Sequence, residues 1–458
     1  MNAPLDSTIP TMPGALPGLG HLHRFARDPL GFFTSMRDHA DIVRWQLGPQ
    51  RNIFISNPAD IAHTLQNVEK TFSMQGDVGF GFRLFAGNGI ITTHGDEWRR
   101  QRNTMQPGMR PQRVAAYSTT MVELTDRMLA GWGTGQQVDV RVEMLALTQK
   151  IAAKTLFGAD VTGDAAMVGR ALDVASREIG AEFRGVTMFL PAWVPTRGRR
   201  RLRAAITEVE SVLYRIIHER RSDGSVDRPD DMLALLMDAR YDDGEPMSDT
   251  QLRDESMTLY IAGHETTGNT LVWAYLMLSR HPDVRRRMAE EISSVVGDRL
   301  PTMEDYHSLA YTEAVVKETL RLYPPAWLHV VRAAVDVEIA GHPVSAGTDV
   351  WMSQWATHHD PRWFGDAHVF RPERFLGDAA KDIPSHAWFP FGGGRHVCLG
   401  NRFALLEAVL VLATVSQRFE LDVPADIAFP PQPLLTLQPG RDVPARLVAA
   451  PAHARSRA

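Results

Sequence analysis

The ten residues FGGGRHVCLG, 391 to 400, hold the only cysteine of the chain, Cys398. Gly392, Gly393 and Gly394 ahead of it let the backbone take positive φ and approach another group closely. The run CLGNRFALLEAVLVL that follows has the three-and-four apolar spacing of a helix. Cys398 therefore sits at a helix start, where free N–H groups and the helix dipole favour a thiolate. Such a sulfur can be a nucleophile, a metal ligand or a small buried apolar group. Three other groupings carry polar chemistry in apolar company. AGHETT puts Glu265 and Thr266 inside the run LYIAGHETTGNTLVWAYLML, where hydroxyls compete for backbone bonds. KETLRLYPP sets Glu318 and Arg321 three apart, and GDEWRRQR sets Trp98 and Arg102 four apart, each pair on one helix face. The plainer readings are a polar stripe bonded back to its helix, a surface ion pair and a basic surface helix.

No hydrolase signature surrounds Cys398, and zinc would need more ligands close at hand. A metal held by one thiolate points to haem iron.

The elements that must position these residues are mostly helical. From about 95 to 325, segments such as AAYSTTMVELTDRMLAGW and AAITEVESVLYRIIHERR repeat apolar residues at helical spacing. DIVRWQLG and RNIFISN, split by PQ, predict a hairpin, and short strand-like pieces such as VEIAGHPVSAGTDV follow the helices. Helices and strands are segregated, which is the α+β class. Residues 1–20, rich in Pro and Gly, read as extended and poorly ordered. FALLEAVLVLATV, Phe403 to Val415, is too short to span a bilayer and contains Glu407, so it reads as a buried helix.

The chain has 458 residues, 44% of them hydrophobic and 22% charged, and a formal charge of -5. That charge argues against a nucleic-acid partner. One cysteine allows no internal disulfide and fits a reducing, cytoplasmic setting. The sequence shows neither a secretory signal nor a membrane anchor.

FGGGRHVCLG resembles the haem-binding loop of the cytochrome P-450 superfamily, F-x-x-G-x-[RH]-x-C-x-G. Phe391, Gly394, His396, Cys398 and Gly400 fill the pattern. The other motifs stand in the family's order, and the likeness runs from LPGLGHLHRF to LTLQPG. It implies the cytochrome P-450 fold, mostly α with small separate sheets, as one domain over residues 21–458. The cofactor would be heme b, with Cys398 as the axial thiolate on iron. Glu265 would feed protons, and Thr266 would hydrogen-bond the oxygen being activated. Their helix would open locally, with Gly263 permitting the opening and Ala262 leaving room. Trp98, Arg102, His396 and Arg332 would hold the propionates, since cationic donors bond carboxylates strongly. His396 stands where Arg is commoner, which would make its contact pH-sensitive. Glu318, Arg321 and Arg374 (from RPERF) would form a buried structural triad that locks the Cys398 segment.

The likeness also implies a pocket drawn from residues 74–85, 178–195, 259–266, 326–331 and 434–435. Its wall would include Phe80, Phe82, Phe85 and Ala326. Trp327, Leu328, His329, Leu434 and Leu435 would complete it, a lining suited to an apolar ligand. The expected activity is a haem-dependent monooxygenase that inserts one atom of O2 into a C–H bond of a lipophilic small molecule of secondary metabolism. Electrons would come from a separate ferredoxin and ferredoxin reductase supplied by NAD(P)H. Arg99, Arg100, Arg395 and Arg402 would form the docking patch. The protein is expected to be a monomer. FARDPLGFFTSMRDHADIVRWQLGP resembles terpene-oxidising bacterial members and favours a terpenoid, with macrolides, steroids and fatty acids open. Desaturation, ring coupling or rearrangement on the same scaffold is one alternative. A haem sensor or carrier without turnover is a second, and a helical binding protein without haem and with an inert buried thiol is a third.

Overall fold

The structure is a computed structural model that describes residues 8–74, 80–159, 163–191, 193–222, 231–241 and 244–450. Helices dominate from residue 95 to 322, and apart from Gln137–Asp139 the strands among the described residues lie before and after them. The hairpin forms as expected from Ile42–Leu47 and Gln50–Ile55, paired antiparallel from Ile42↔Ile55 to Leu47↔Gln50. Gln50–Ile55 then pairs in parallel with Asp349–Met352, which pairs antiparallel with His329–Ala333. Phe72–Ser73 closes this five-stranded sheet on the far edge of His329–Ala333.

The sheet and the first residues meet in an aromatic cluster of Phe25, Phe33, Trp45, Phe183 and Trp351, with the Trp45 and Trp351 rings 5.0 Å apart. Rings in tilted and edge-on contact at such distances add about 0.5–1.5 kcal/mol per pair beyond their area. Of the segment expected to be extended and poorly ordered, residues 8–20 are described, and they are tied to the rest of the fold. Ile9 and Met12 are buried in the core, and Met12 N–H bonds Arg44 O at 2.9 Å. A few large apolar side chains anchor a Pro/Gly-rich segment that has no periodicity of its own.

The helix Asp249–Arg280 is the axis of the molecule. Ser248 caps it, accepting from Gln251 N–H at 3.1 Å. It is buried on every side over most of its length, so it must have neighbours all round. Val140–Phe157 lies against it. A Cβ at Gly268 would come within 2.7 Å of Leu145 Cδ2, so glycine is what permits the approach. The helix Asn401–Ser416 packs in the same core and buries Phe403 and Leu406 to Val415, as its apolar run foretold. Glu407 is buried there beside Thr267, and burial pushes its pKa well above the carboxylate range, against that hydroxyl.

The loop after the helix Phe80–Ala86 is clamped to this axis by two adjacent carboxylates. Asp254 accepts from Asn88 N–H at 2.8 Å. Glu255 accepts from Ile90 N–H at 3.0 Å and from Gln251 Nε2 at 2.8 Å. Burial raises the Glu255 pKa from 4.5 to about 8, with smaller contributions from Asp254 and Glu97, against those two hydrogen bonds. The folded protein therefore keeps a proton that the unfolded chain releases, and stability falls as pH rises from 4.5 to about 8. Glu255→Gln should remove that slope. Relative to the unsubstituted protein, it should gain about 2–4 kcal/mol between pH 5 and pH 8 in denaturant titrations. Parallel stability curves for the two proteins would show that Glu255 titrates as it does in the unfolded chain.

Candidate active site

Along the Asp249–Arg280 helix, every residue from Leu252 to Leu278 is buried except Ala262, Gly263 and Thr266. One turn of a helix that is otherwise encased therefore faces open space. The helix runs unbroken through this turn, unlike the expected local opening. Thr266 Oγ1 donates to Ala262 O at 2.9 Å and Thr270 Oγ1 to Thr266 O at 2.9 Å, so each hydroxyl is satisfied without breaking the ladder.

Cys398 is exposed as well. Its turn is held by the backbone: Cys398 N–H bonds Phe391 O at 2.9 Å. Gly394 takes φ 62°, and a Cβ there would lie 2.1 Å from Leu65 O. Leu399, next to the cysteine, packs into the same cluster as Leu259 and Ile261, one turn before Ala262. The turn and the helix thus meet on one set of apolar side chains. Although the sulfur meets solvent, the protein around it is dense. Burial pushes the thiol pKa up, against a bond from Gly400 N–H and the charge of Arg102. A metal cation would take the place of that proton.

Cationic and aromatic side chains gather at one edge. Arg102 Nη1 donates to Val397 O at 2.8 Å, beside the cysteine. Trp98 stacks on His396 with ring centroids 3.7 Å apart. His396 Nε2 lies 3.1 Å from Glu69 Oε1. Proximity to a carboxylate would favour imidazolium, but burial, and then Arg102, lower its pKa to about 4. We read the contact as a neutral ring whose N–H donates to Glu69, which differs from the expected bond to a propionate. Arg332 also differs from expectation. Strand register sets it opposite Asp349, and its Nε and Nη2 bond that carboxylate at 2.6 and 2.9 Å.

The pocket residues divide. Phe85 is buried, and Phe82 and Leu435 pack beside it in one cluster. Ala326 is exposed and Leu434 is buried. The side chain of Phe80 lies outside the described residues, as do residues 75–79. Trp327 is buried in the aromatic cluster, and its Nε1 donates to Leu434 O at 3.1 Å. Leu328 packs at the edge of that cluster. His329 turns toward the cysteine turn, with Cε1 3.9 Å from where a Gly392 Cβ would stand. Its Nε2 is buried without a partner, and burial, then His396, lower its pKa to about 4.

Glu318 and Arg321 are fully buried and joined at two points, 2.7 and 2.8 Å, with Arg374 Nε 3.4 Å from Glu318 Oε1. Glu265 is buried and turned away from the exposed turn. Its Oε1 accepts from Thr436 Oγ1 at 2.7 Å and Ser176 Oγ at 3.0 Å. Burial raises its pKa, against those two bonds. Glu69, Ser176 and Thr436 carry no signal in the sequence, because each meets its partner only through the fold.

These residues fit a haem. A lone sulfur faces an opening beside the one uncovered turn of the central helix, and donors for carboxylates stand at one edge. Among the described residues, no group of three or more His, Cys, Asp or Glu could hold a metal ion.

A single-thiolate site on a mostly helical scaffold with small separate sheets defines a haem-thiolate enzyme class. The family model for Cytochrome P450 matches residues 10–443, and the chain belongs to that family. It is 35% identical over 417 residues to the Cyclooctat-9-en-7-ol 5-monooxygenase of Streptomyces melanosporofaciens, covering 90% of each chain. It is 32% identical to the Cyclooctatin synthase of the same organism, over 96% of this chain and 95% of that one. It is 33% identical to the Pentalenene oxygenase of Streptomyces avermitilis, over 96% and 97%. The protein is a haem-dependent monooxygenase of secondary metabolism. Among the described residues, no helix is long and apolar enough to cross a membrane.

Proposed function

We propose that the protein oxidises a cyclic terpenoid, with Cys398 as the thiolate ligand of the haem iron. The observation that carries the site is an exposed cysteine whose neighbour Leu399 packs in one apolar cluster with Leu259 and Ile261, the residues that lead into the one uncovered turn, Ala262 to Thr266, of a buried helix. The substrate class rests on the relatives, which are bacterial terpenoid oxygenases by name. When bound, the haem supplies reductive activation of O2 and transfer of one oxygen atom to carbon.

The chain's own residues do the rest. Arg102 holds the cofactor's carboxylates, and His396, with Trp98 stacked on it, joins it there by turning its one N–H from Glu69 to them. Arg332 is held by Asp349 at the same time. Phe391 fixes the ligand turn through its carbonyl. Ala262 keeps a small side chain over the opening, and Thr266 presents its hydroxyl there. Glu265 stores the proton to be delivered, since burial favours its neutral form. Phe82, Phe85, Leu434 and Leu435 form an apolar wall that holds the substrate and excludes water.

Electrons come from a separate ferredoxin and its reductase. An acidic ferredoxin docks near the cysteine turn, where Arg395 and Arg402 are exposed. Arg99 and Arg100 add less, because Arg99 pairs with Asp96 and Arg100 lies over Tyr241. The setting is the cytoplasm and the working unit a monomer.

Spectral titration with a panel of cyclic terpenes, macrolides and steroids tests the substrate class. A low-to-high-spin shift with the terpenes alone is expected, followed by one labelled oxygen atom in the product under labelled O2. A shift with macrolides or steroids and none with terpenes would overturn the terpenoid assignment. Consumed substrate without label would replace hydroxylation by desaturation or ring coupling.

A further inference from the structure

We propose that Thr436, together with Ser176, is a positioning residue that sets the carboxyl of Glu265 for proton delivery; this rests on the role given to Glu265 above. Both hydroxyls donate to one oxygen, Oε1, while Oε2 is buried and has no partner. Each hydroxyl has a single hydrogen. Thr436 gives its hydrogen to Glu265 and accepts from Asn269 Nδ2 at 2.9 Å. The direction of the chain is thereby fixed: Asn269 donates to Thr436, and Thr436 donates to Glu265. With Oε1 occupied by two donors, a proton on the carboxyl resides on Oε2. No protein acceptor competes for it there, so it is the proton free to leave.

Thr436 is itself held from several directions. Its carbonyl accepts from Leu434 N–H at 3.1 Å, closing the turn. Trp327 Nε1 holds Leu434 O, Leu437 N–H bonds Pro325 O at 2.9 Å, and Trp273 Nε1 donates to Leu437 O at 3.3 Å. Ser176 lies on the helix Ala165–Arg184, which crosses the same turn so closely that a Cβ at Gly180 would lie 3.0 Å from Leu434 Cα. The nearby charges are Asp173 and Arg141, which pair with each other at 2.5 Å; Arg141 also reaches Gln438 Oε1 at 2.9 Å. The turn 434–436, whose Leu434 and Leu435 were assigned above to the pocket wall, is therefore bonded through Thr436 to the proton donor. A ligand that displaces Leu434 also displaces the hydroxyl that holds Glu265.

The test compares Thr436→Val, which keeps shape and loses the donor, with Thr436→Ser, which keeps the donor. The first readout is the infrared carboxyl band of Glu265 in resting enzyme, titrated with pH and assigned by its absence in Glu265→Gln. The second is product formed per NAD(P)H consumed with a fixed surrogate ferredoxin pair. Thr436→Val should raise the titration midpoint by about one to two pH units, the worth of one donor to a charged oxygen. It should also lower coupling at least about threefold, with haem content unchanged. Thr436→Ser should restore both values. An unshifted band in Thr436→Val, or no rescue by serine, would overturn the positioning role. If Glu265→Gln stays fully coupled while the band still shifts in Thr436→Val, the proton-delivery role of Glu265 fails instead, and the positioning has no catalytic meaning.

Discussion

Arg321→Ala should cost about 3–5 kcal/mol of stability, the usual penalty for leaving one half of a buried ion pair alone. Arg321 spends its whole guanidinium on protein. Nε and Nη2 grip Glu318, Nη1 donates to His358 O and Ala367 O at 2.8 and 2.7 Å, and Nη2 also reaches Val369 O at 3.2 Å. Removing it strips three carbonyls of a donor and leaves a fully buried carboxylate. Glu318 would keep only Arg371 N–H at 2.9 Å and the more distant Arg374. Lysine should rescue poorly, because it lacks the planar fork. Arg374→Gln should cost less, since its Nε stands 3.4 Å from Glu318 and makes no hydrogen bond there. Chemical denaturation of the three variants, alongside their haem content, checks this order. A loss below about 1 kcal/mol for Arg321→Ala would mean that the network does not hold the segments that meet there.

Cys398→Ser should lose turnover while keeping the fold. The turn is held by main-chain bonds and by the close seat of Gly394 on Leu65, and none of these involves the sulfur. Serine fits that backbone but supplies no electron-rich thiolate. Losing a residue that merely orients a metal ligand costs about 10–100-fold in activity. Losing the ligand should exceed that, so turnover is expected to fall by more than about a hundredfold while the denaturation midpoint changes little. Product analysis at equal protein concentration measures the first, and a denaturation curve the second. Retained turnover would remove Cys398 from the chemistry.

Local signals in the chain spoke for local features. Alternation gave the hairpin Ile42–Ile55, apolar density gave the buried helix through Val415, and the spacing of Glu318 and Arg321 placed them on one face. The glycine run marked the sharp turn at Cys398, where Gly392 and Gly394 take positive φ. Bonds between distant segments were not legible. Thr436 stands 171 residues from Glu265, and Glu69 stands 327 residues from His396. Arg332 looked free because the register that faces it with Asp349 belongs to the sheet and not to either strand alone. The packing of Trp327 with Phe33 and Trp351 was not legible either, because apolar side chains suit a wall and a core equally. Residues 8–20 lack any period, so their anchoring by Ile9 and Met12 appears only in three dimensions.

The bond between the Cys398 sulfur and haem iron bears the account, and one spectrum tests it. Purified haem-loaded protein, reduced and exposed to carbon monoxide, should give the strongly red-shifted Soret band of thiolate-ligated iron, and Cys398→Ser should not. Fully loaded protein without that band, or a serine variant that retains it, would contradict the assignment.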